Sequence, residues 1–244
     1  MNRLLLTISY LGTNYCGWQV QPNGISVQQT LQDALQKLLG DRPDVTGCSR
    51  TDSGVHANMF CCHFDTESDI DPKSVVKALN FYLPQDISAI DCVRVDADFH
   101  ARYNSKGKNY IYRIYNSPCR NPFEEGRALH IQTHLDEKLM NKFCNNIVGT
   151  YDFSAFSSAG TSVTDFVRTI YECNVTRDGD VITLSVTADG FLYNMVRIIV
   201  GTALQVAYGK IDADDAAKII NSKDRSLAGP TAAPEGLYLN KVLY

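Results

Sequence analysis

A single aspartate in a short polar turn is the residue of this sequence best placed to do chemistry. Asp52 follows Arg50 by two positions, glycines bracket the segment, and apolar runs typical of strands flank it on both sides. A carboxylate displayed in this way can act as a nucleophile or as a base. An Asp before Ser-Gly is also the usual composition of a turn, and on spacing alone the plain turn is the simpler interpretation.

Two rounds of strands and helices must position this turn. The first round starts with a strand over Arg3–Tyr10 and a helix that Ser26 begins, with Gln29 in a capping box, and that Gly40 ends. Further predicted helices start at Pro72 and cover Asp136–Ile147, Leu192–Ala207 and Asp212–Asn221, and further strands cover Ile87–Val95, Tyr110–Tyr115, Thr169–Arg177, Val181–Ala188 and Gly236–Leu243.

The order of elements is similar in the two rounds, which divide at residue 104. We therefore predict an α+β fold with two similar halves, residues 1–104 and 105–244, that form a largely antiparallel sheet. Helices are expected on one face of this sheet. The other face is then open as a cleft for a ligand.

Composition indicates an ordinary globular protein. The 244 residues are 44% hydrophobic and 20% charged, with a net charge of −4. The longest apolar stretch, Met195 to Tyr208, is too short to span a membrane and contains Arg197. The apolar run at the N-terminus is too short for a signal peptide, so we expect a cytoplasmic protein with no membrane partner.

The cysteines indicate neither a metal site nor a disulfide framework. Eight are present, none in a C-x-x-C pair, and most lie in apolar surroundings, as small reduced core residues do. Phosphate loops and dinucleotide fingerprints are absent from the sequence. We therefore expect no metal and no cofactor, so that any catalysis depends on side chains alone.

A basic segment interrupts this acidic chain. Between Phe99 and Pro122 there is no acidic residue, and tyrosines are interleaved with the cations Arg102, Lys106, Lys108, Arg113 and Arg120. Cations among aromatic residues are typical of nucleic-acid binding. Lysines that keep the edge of a strand soluble explain the pattern equally well, and the sequence leaves both interpretations open.

Six motifs, in order along the chain, resemble those of the tRNA pseudouridine synthase A family. Two segments depart from the family pattern, with Leu11 in place of an aspartate and Ser49 and Ser53 in place of a glycine and an alanine. The motifs lie at Tyr10–Gln19, Arg50–Ala57, Asp98–Tyr112, Gly149–Phe153, Phe191–Gly201 and Ala233–Leu239.

The resemblance implies an isomerase that converts uridine to pseudouridine in the anticodon arm of tRNA, at positions 38 to 40, without a cofactor. It implies that Asp52 is catalytic and that Arg50, Tyr110 and Arg197 bind substrate: Arg50 through a phosphate, Tyr110 by stacking on the uracil, and Arg197 by pairing with Asp52. A homodimer is also implied. From the residues alone, Arg50 could be a solvated loop cation, Arg197 a structurally paired residue, and Tyr110 one strand aromatic among several.

Two other classes of protein remain to be weighed against this one. An RNA-binding protein of the same fold could lack activity, but binding alone needs no carboxylate paired with an arginine. A thiol- or zinc-dependent enzyme is disfavoured by the cysteine spacing.

Overall fold

The computed structural model describes residues 1–160 and 163–244, which form two compact units. The first unit contains Met1–Lys106 together with Tyr238–Tyr244, and the second contains Gly107–Leu237. The expected division after residue 104 lies within two residues of this one. The last strand, which the predicted division puts in the second half, belongs to the first unit.

The first unit is a mixed sheet with two helices. Its strands are β1 (Asn2–Tyr10), β2 (Val45–Gly47), β3 (His56–Thr66), β4 (Ile87–Val95) and β10 (Leu237–Leu243), and its helices are α1 (Val27–Leu39) and α2 (Pro72–Tyr82). β1 lies between β4 and β3 and is antiparallel to both. β2 pairs with β3 in antiparallel orientation, whereas β10 pairs with it in parallel.

Local sequence explains the limits of α1. The Ser26 side chain accepts a hydrogen bond from the Gln29 N–H (3.1 Å), and Gly40 ends the helix in the left-handed conformation at φ +86°. Alternate residues of β1, namely Leu4, Leu6 and Ile8, are buried, as expected for a strand with one covered face.

The second unit has the same mixture of elements. Its strands are β5 (Gly107–Asn116), β6 (Leu129–Ile131), β7 (Gly149–Asp152), β8 (Val167–Asp178) and β9 (Val181–Ala188), and its helices are α3 (Glu137–Asn146), α4 (Met195–Ala207) and α5 (Ala216–Ser222). β5, β9, β8 and β7 are neighbours in that order and antiparallel, and β6 is parallel to β5. Both units therefore confirm the predicted α+β class with mostly antiparallel strand pairs.

The two faces of β5 differ. Tyr110, Tyr112 and Ile114 are buried on one face, whereas Ile111 and Arg113 on the other are half-buried. Because side chains alternate along a strand, Lys108 shares the face of Tyr110, and Arg113 lies on the opposite face. Arg113 is also committed to an ion pair with Glu124 (3.0 Å). The basic segment is therefore not one continuous surface.

Candidate active site

The Asp52 loop connects β2 to β3 and lies in the first unit. Its residues differ in exposure: Arg50 is exposed, Thr51 is 8% exposed, and Asp52 is half-buried. The loop therefore presents the Arg50 side chain to solvent while the next residue anchors it. Asp52 follows that anchor directly, so its position is well defined.

A second segment, Leu11–Gln19, holds the Asp52 loop through hydrogen bonds. The Trp18 N–H donates to the Thr51 carbonyl (3.1 Å), and the Gly54 N–H donates to the Tyr15 carbonyl (3.3 Å). These two bonds flank Asp52 on either side. The Thr51 hydroxyl shares a further hydrogen bond with the Tyr10 hydroxyl (2.9 Å), which ties the loop to the end of β1.

Two glycines allow these segments to approach each other. A Cβ at Gly17, whose φ is +94°, would lie 2.3 Å from the Thr51 carbonyl oxygen. A Cβ at Gly12 would lie 2.0 Å from the Val55 carbonyl oxygen. Both distances are shorter than a side chain permits, so the first glycine-rich motif is the support of the Asp52 loop.

Buried groups fix the support itself. The Gly12 N–H donates to Nδ1 of His56 (2.8 Å), and His56 is fully buried. The Tyr15 hydroxyl donates to Asp86 (2.7 Å), and burial together with this carboxylate raises the pKa of Tyr15. Trp18 stacks on Phe60 with the ring centroids 4.1 Å apart and is buried, so it is a core residue.

Tyr110 lies in the second unit, on β5. Its ring meets that of Phe191 edge-on, with the centroids 5.1 Å apart, and the residue is only 6% exposed. Its register partner on β9 is Val186, which is fully buried. Tyr110 therefore presents little of its ring to solvent in this conformation.

Arg197 also lies in the second unit, in the first turn of α4. Its Nε donates to the Ala232 carbonyl (2.7 Å), and its Nη1 donates to Oδ1 of Asn194 (3.0 Å). Asn194 adopts a left-handed conformation (φ 61°) directly before α4. The guanidinium is half-buried and held in one orientation, which suits a planar partner for a carboxylate or a phosphate.

The four predicted site residues thus fall into two pairs. Asp52 and Arg50 share one loop of the first unit, and Tyr110 and Arg197 belong to the second unit. Sequence reasoning missed the supporting roles of Gly12, Gly17 and His56. All three lie in the motifs quoted above, but their role in supporting the Asp52 loop depends on contacts between segments that are distant in sequence.

Comparison with known proteins then identifies the family. A family model described as "tRNA pseudouridine synthase" matches residues 6–104 and 143–244, which is most of the chain. Proteins named "tRNA pseudouridine synthase A" from Caldicellulosiruptor saccharolyticus and Acetivibrio thermocellus are each 46% identical over 244 residues, and one from Thermoanaerobacter sp. (strain X514) is 43% identical. Each alignment covers 100% of both chains.

The chain belongs to the tRNA pseudouridine synthase A family. The resemblance drawn from the six motifs is therefore confirmed. A solved structure of a Cbf5-Nop10-Gar1 complex aligns with 82% of this chain and 54% of its own, at a TM-score of 0.38 and 11% identity. That likeness is too weak to support any conclusion.

This member of the tRNA pseudouridine synthase A family offers little support for thiol or metal chemistry. Burial raises the pKa of the Cys62 and Cys92 thiols, so their reactive thiolate forms are disfavoured. Within residues 1–160 and 163–244, no group of three or more His, Cys, Asp or Glu side chains is placed to hold a metal ion. Across those same ranges, no helix is both long and apolar enough to cross a membrane.

Proposed function

We propose that this protein isomerises uridine to pseudouridine in the anticodon arm of tRNA, at positions 38 to 40, with Asp52 as the essential carboxylate. The observation that carries the proposal is the fixation of Asp52. Its loop is bound on both sides by the Leu11–Gln19 segment, whose two glycines admit the close contact. A rigid, half-buried carboxylate beside an exposed arginine suits attack on an extruded nucleotide.

The reaction is balanced without redox chemistry. The bond between N1 of uracil and C1′ of the ribose breaks, with its electron pair leaving on the base. After the uracil turns, C5 bonds to C1′, the C5 proton is removed, and N1 is protonated. Asp52 can serve this sequence by attacking C1′, by attacking C6 of the ring, or by removing a proton. No net electron donor or acceptor is needed, so the proposed reaction uses no cofactor.

Three residues are proposed to hold the substrate. Arg50, exposed at the rim of the loop, binds the phosphate of the extruded nucleotide. Arg197 pairs with the Asp52 carboxylate. Tyr110 stacks on the uracil; because the residue is 6% exposed here, its ring must become uncovered when tRNA binds.

The partners of the protein are proposed on the same basis. The tRNA binds in a cleft on the open face of the sheet, and members of the basic segment, Lys106 and Lys108 above all, contact its backbone. The protein acts as a homodimer in the cytoplasm. These proposals follow from the family resemblance and from the absence of acidic residues between Phe99 and Pro122.

The decisive test compares Asp52→Asn with Asp44→Asn, which removes the same charge from an exposed position just before β2. Asp52→Asn keeps the shape of the side chain but loses its nucleophilicity and basicity. We expect it to abolish pseudouridine formation on bulk tRNA while tRNA binding is kept, and we expect Asp44→Asn to resemble the wild type. Substantial pseudouridine formation by pure Asp52→Asn protein would contradict the proposal.

A further inference from the structure

A second rigid turn, His100–Asn104, lies in the first unit and is held by its own hydrogen bonds. The Asn104 N–H donates to the His100 carbonyl (3.0 Å), and the His100 N–H donates to Oδ1 of Asn104 (2.6 Å). Nδ1 of His100 accepts from the N–H groups of Arg102 (3.1 Å) and Tyr103 (3.3 Å). The backbone of the turn is therefore fixed by its two end residues.

The turn is docked on the sheet through Ala101, which is fully buried. The Ala101 N–H donates to Nδ1 of His63 on β3 (3.2 Å), and the Ala101 carbonyl accepts from the Tyr244 hydroxyl (2.7 Å). His63 is 6% exposed, and its ring meets the His100 ring edge-on at 5.0 Å. The N–H and the carbonyl of the buried Ala101 are thus both hydrogen-bonded, to His63 and to Tyr244.

The two residues at the tip of the turn point outward. Tyr103 is 76% exposed, and one side of its ring lies 4.3 Å from the His100 ring. The Arg102 side chain is exposed, with its guanidinium carbon 5.9 Å from the Tyr103 ring centroid. An exposed aromatic ring beside a cation, on backbone that is already ordered, is suited to RNA because bases stack on such rings and phosphates bind the cation.

This turn is remote from the Asp52 loop. That loop joins β3 at His56, and His63 lies seven positions further along the strand. At the rise of a β-strand, the separation is roughly 20 Å. The turn therefore meets a different part of a bound tRNA from the nucleotide that reacts.

We propose that the His100–Asn104 turn is a tRNA-contact site, in which Arg102 binds a backbone phosphate and Tyr103 stacks on an unpaired base, and that His63 is the positioning residue that holds it. This proposal rests on the proposed function, because it takes tRNA as the ligand.

The docking bond requires neutral His63. Nδ1 of His63 accepts the Ala101 N–H, and a protonated imidazole has no acceptor there. Burial lowers the pKa of His63 below its ordinary value of 6.5; Arg3 on β1 and His100 in the turn lower it further, and Asp65 on β3 opposes them. The bond is therefore complete at pH 7 and is lost as the pH falls below 6.5 through the lowered pKa.

The first experiment measures KM and kcat for pseudouridine formation on tRNA, together with the Kd for tRNA. The double variant Arg102→Ala, Tyr103→Ala is compared with Lys77→Ala, Phe81→Ala, which removes a cation and an aromatic ring from exposed positions on α2. We expect the first variant to raise Kd and KM by about five-fold or more and to leave kcat unchanged. Five-fold corresponds to about the lower end of the free energy typical for loss of one base–aromatic stack. An unchanged Kd, or an equal rise in the control variant, overturns the proposal.

The second experiment tests His63 with two substitutions. His63→Asn offers an amide oxygen near the position of Nδ1, so we expect Kd close to the wild type and less weakening below pH 6.5 than in the wild type. His100, whose Nδ1 also accepts N–H groups of the turn, is the same in both proteins. His63→Phe leaves the buried Ala101 N–H without its acceptor, so Kd and KM should rise as in the tip variant while kcat stays. If His63→Phe fails to fold, the pH arm decides the point: a weakening at low pH that is identical in the wild type and in His63→Asn refutes the positioning role.

These outcomes are separable from those of the proposed function. Failure of the wild type to form pseudouridine refutes the proposed reaction. The Kd arms still report whether the turn binds tRNA, and an unchanged Kd alongside normal turnover refutes the turn alone.

Discussion

Replacing Gly17 by alanine tests whether the glycine-rich segment positions Asp52. The new Cβ would lie 2.3 Å from the Thr51 carbonyl oxygen and 3.0 Å from the Asp52 carbonyl carbon. Both atoms are backbone and cannot rotate away, so the loop must move by the better part of an ångström. The bond from the Trp18 N–H to the Thr51 carbonyl must stretch or break as it does so.

The matched control is Gly40→Ala at the end of α1. Gly40 has a similar left-handed backbone (φ +86°), but a Cβ there meets no atom within 4 Å. Both variants therefore carry the strain of a side chain at positive φ, about 1–2 kcal/mol. For a chain of this size, that strain lowers Tm by about 2–4 °C per kcal/mol. Gly17→Ala adds the steric overlap to this loss of stability.

The assay is the kcat for pseudouridine formation at saturating tRNA, with Tm measured on the same samples. A displacement of about 1 Å in a catalytic group lowers kcat by roughly 10²-fold, so we expect that loss in Gly17→Ala. Gly40→Ala should lose stability and keep its kcat. Wild-type kcat in folded Gly17→Ala protein, or equal losses of kcat in both variants, would refute the claim that close packing of this segment positions Asp52.

Two further sets of substitutions test the proposed tRNA contacts. Tyr110→Phe keeps the ring and its contact with Phe191, so tRNA affinity should be near the wild type, whereas Tyr110→Ala should lose about 1–3 kcal/mol of stacking; equal impairment of binding would make the hydroxyl the important group. Lys106→Ala with Lys108→Ala should weaken tRNA binding and flatten its log–log salt dependence by roughly 0.7 to 0.9 per lost phosphate contact. An unaltered slope with more aggregation would instead support protection of a strand edge.

Local chemistry made much of the fold predictable. Ser26 and Gly40 mark the two ends of α1, and both act as caps in the structure. The strands predicted at Thr169–Arg177 and Val181–Ala188 form the β8–β9 hairpin, in which Asp178 pairs with Val181. The predicted helix Leu192–Ala207 begins only at Met195, because Asn194 takes a left-handed conformation that no helix interior allows.

Contacts between distant segments were not predictable. The burial of Tyr110 depends on Phe191, some eighty positions away, and strand periodicity alone does not say which face of β5 is covered. The parallel pairing of β10 with β3, at Tyr238 with His56, likewise has no local signal. For the basic segment, a local signal was available but was not applied. Side chains alternate along β5, so Lys108 and Arg113 lie on opposite faces of the strand, which a count of charges does not show.

Because β10 belongs to the first unit, the sheet of that unit can be completed only at the end of synthesis. β10 pairs with β3 at His56 and Ala57, directly after the Asp52 loop, and the Lys106 N–H donates to the Leu243 carbonyl (2.7 Å). On the ribosome, the whole of Gly107–Leu237 must be synthesised before these pairs can form, a delay on the order of ten seconds. Throughout that interval β3 of the nascent chain lacks its β10 partner. The unit that begins first is thus completed last, and premature termination within the second unit leaves the Asp52 loop beside an unfinished sheet.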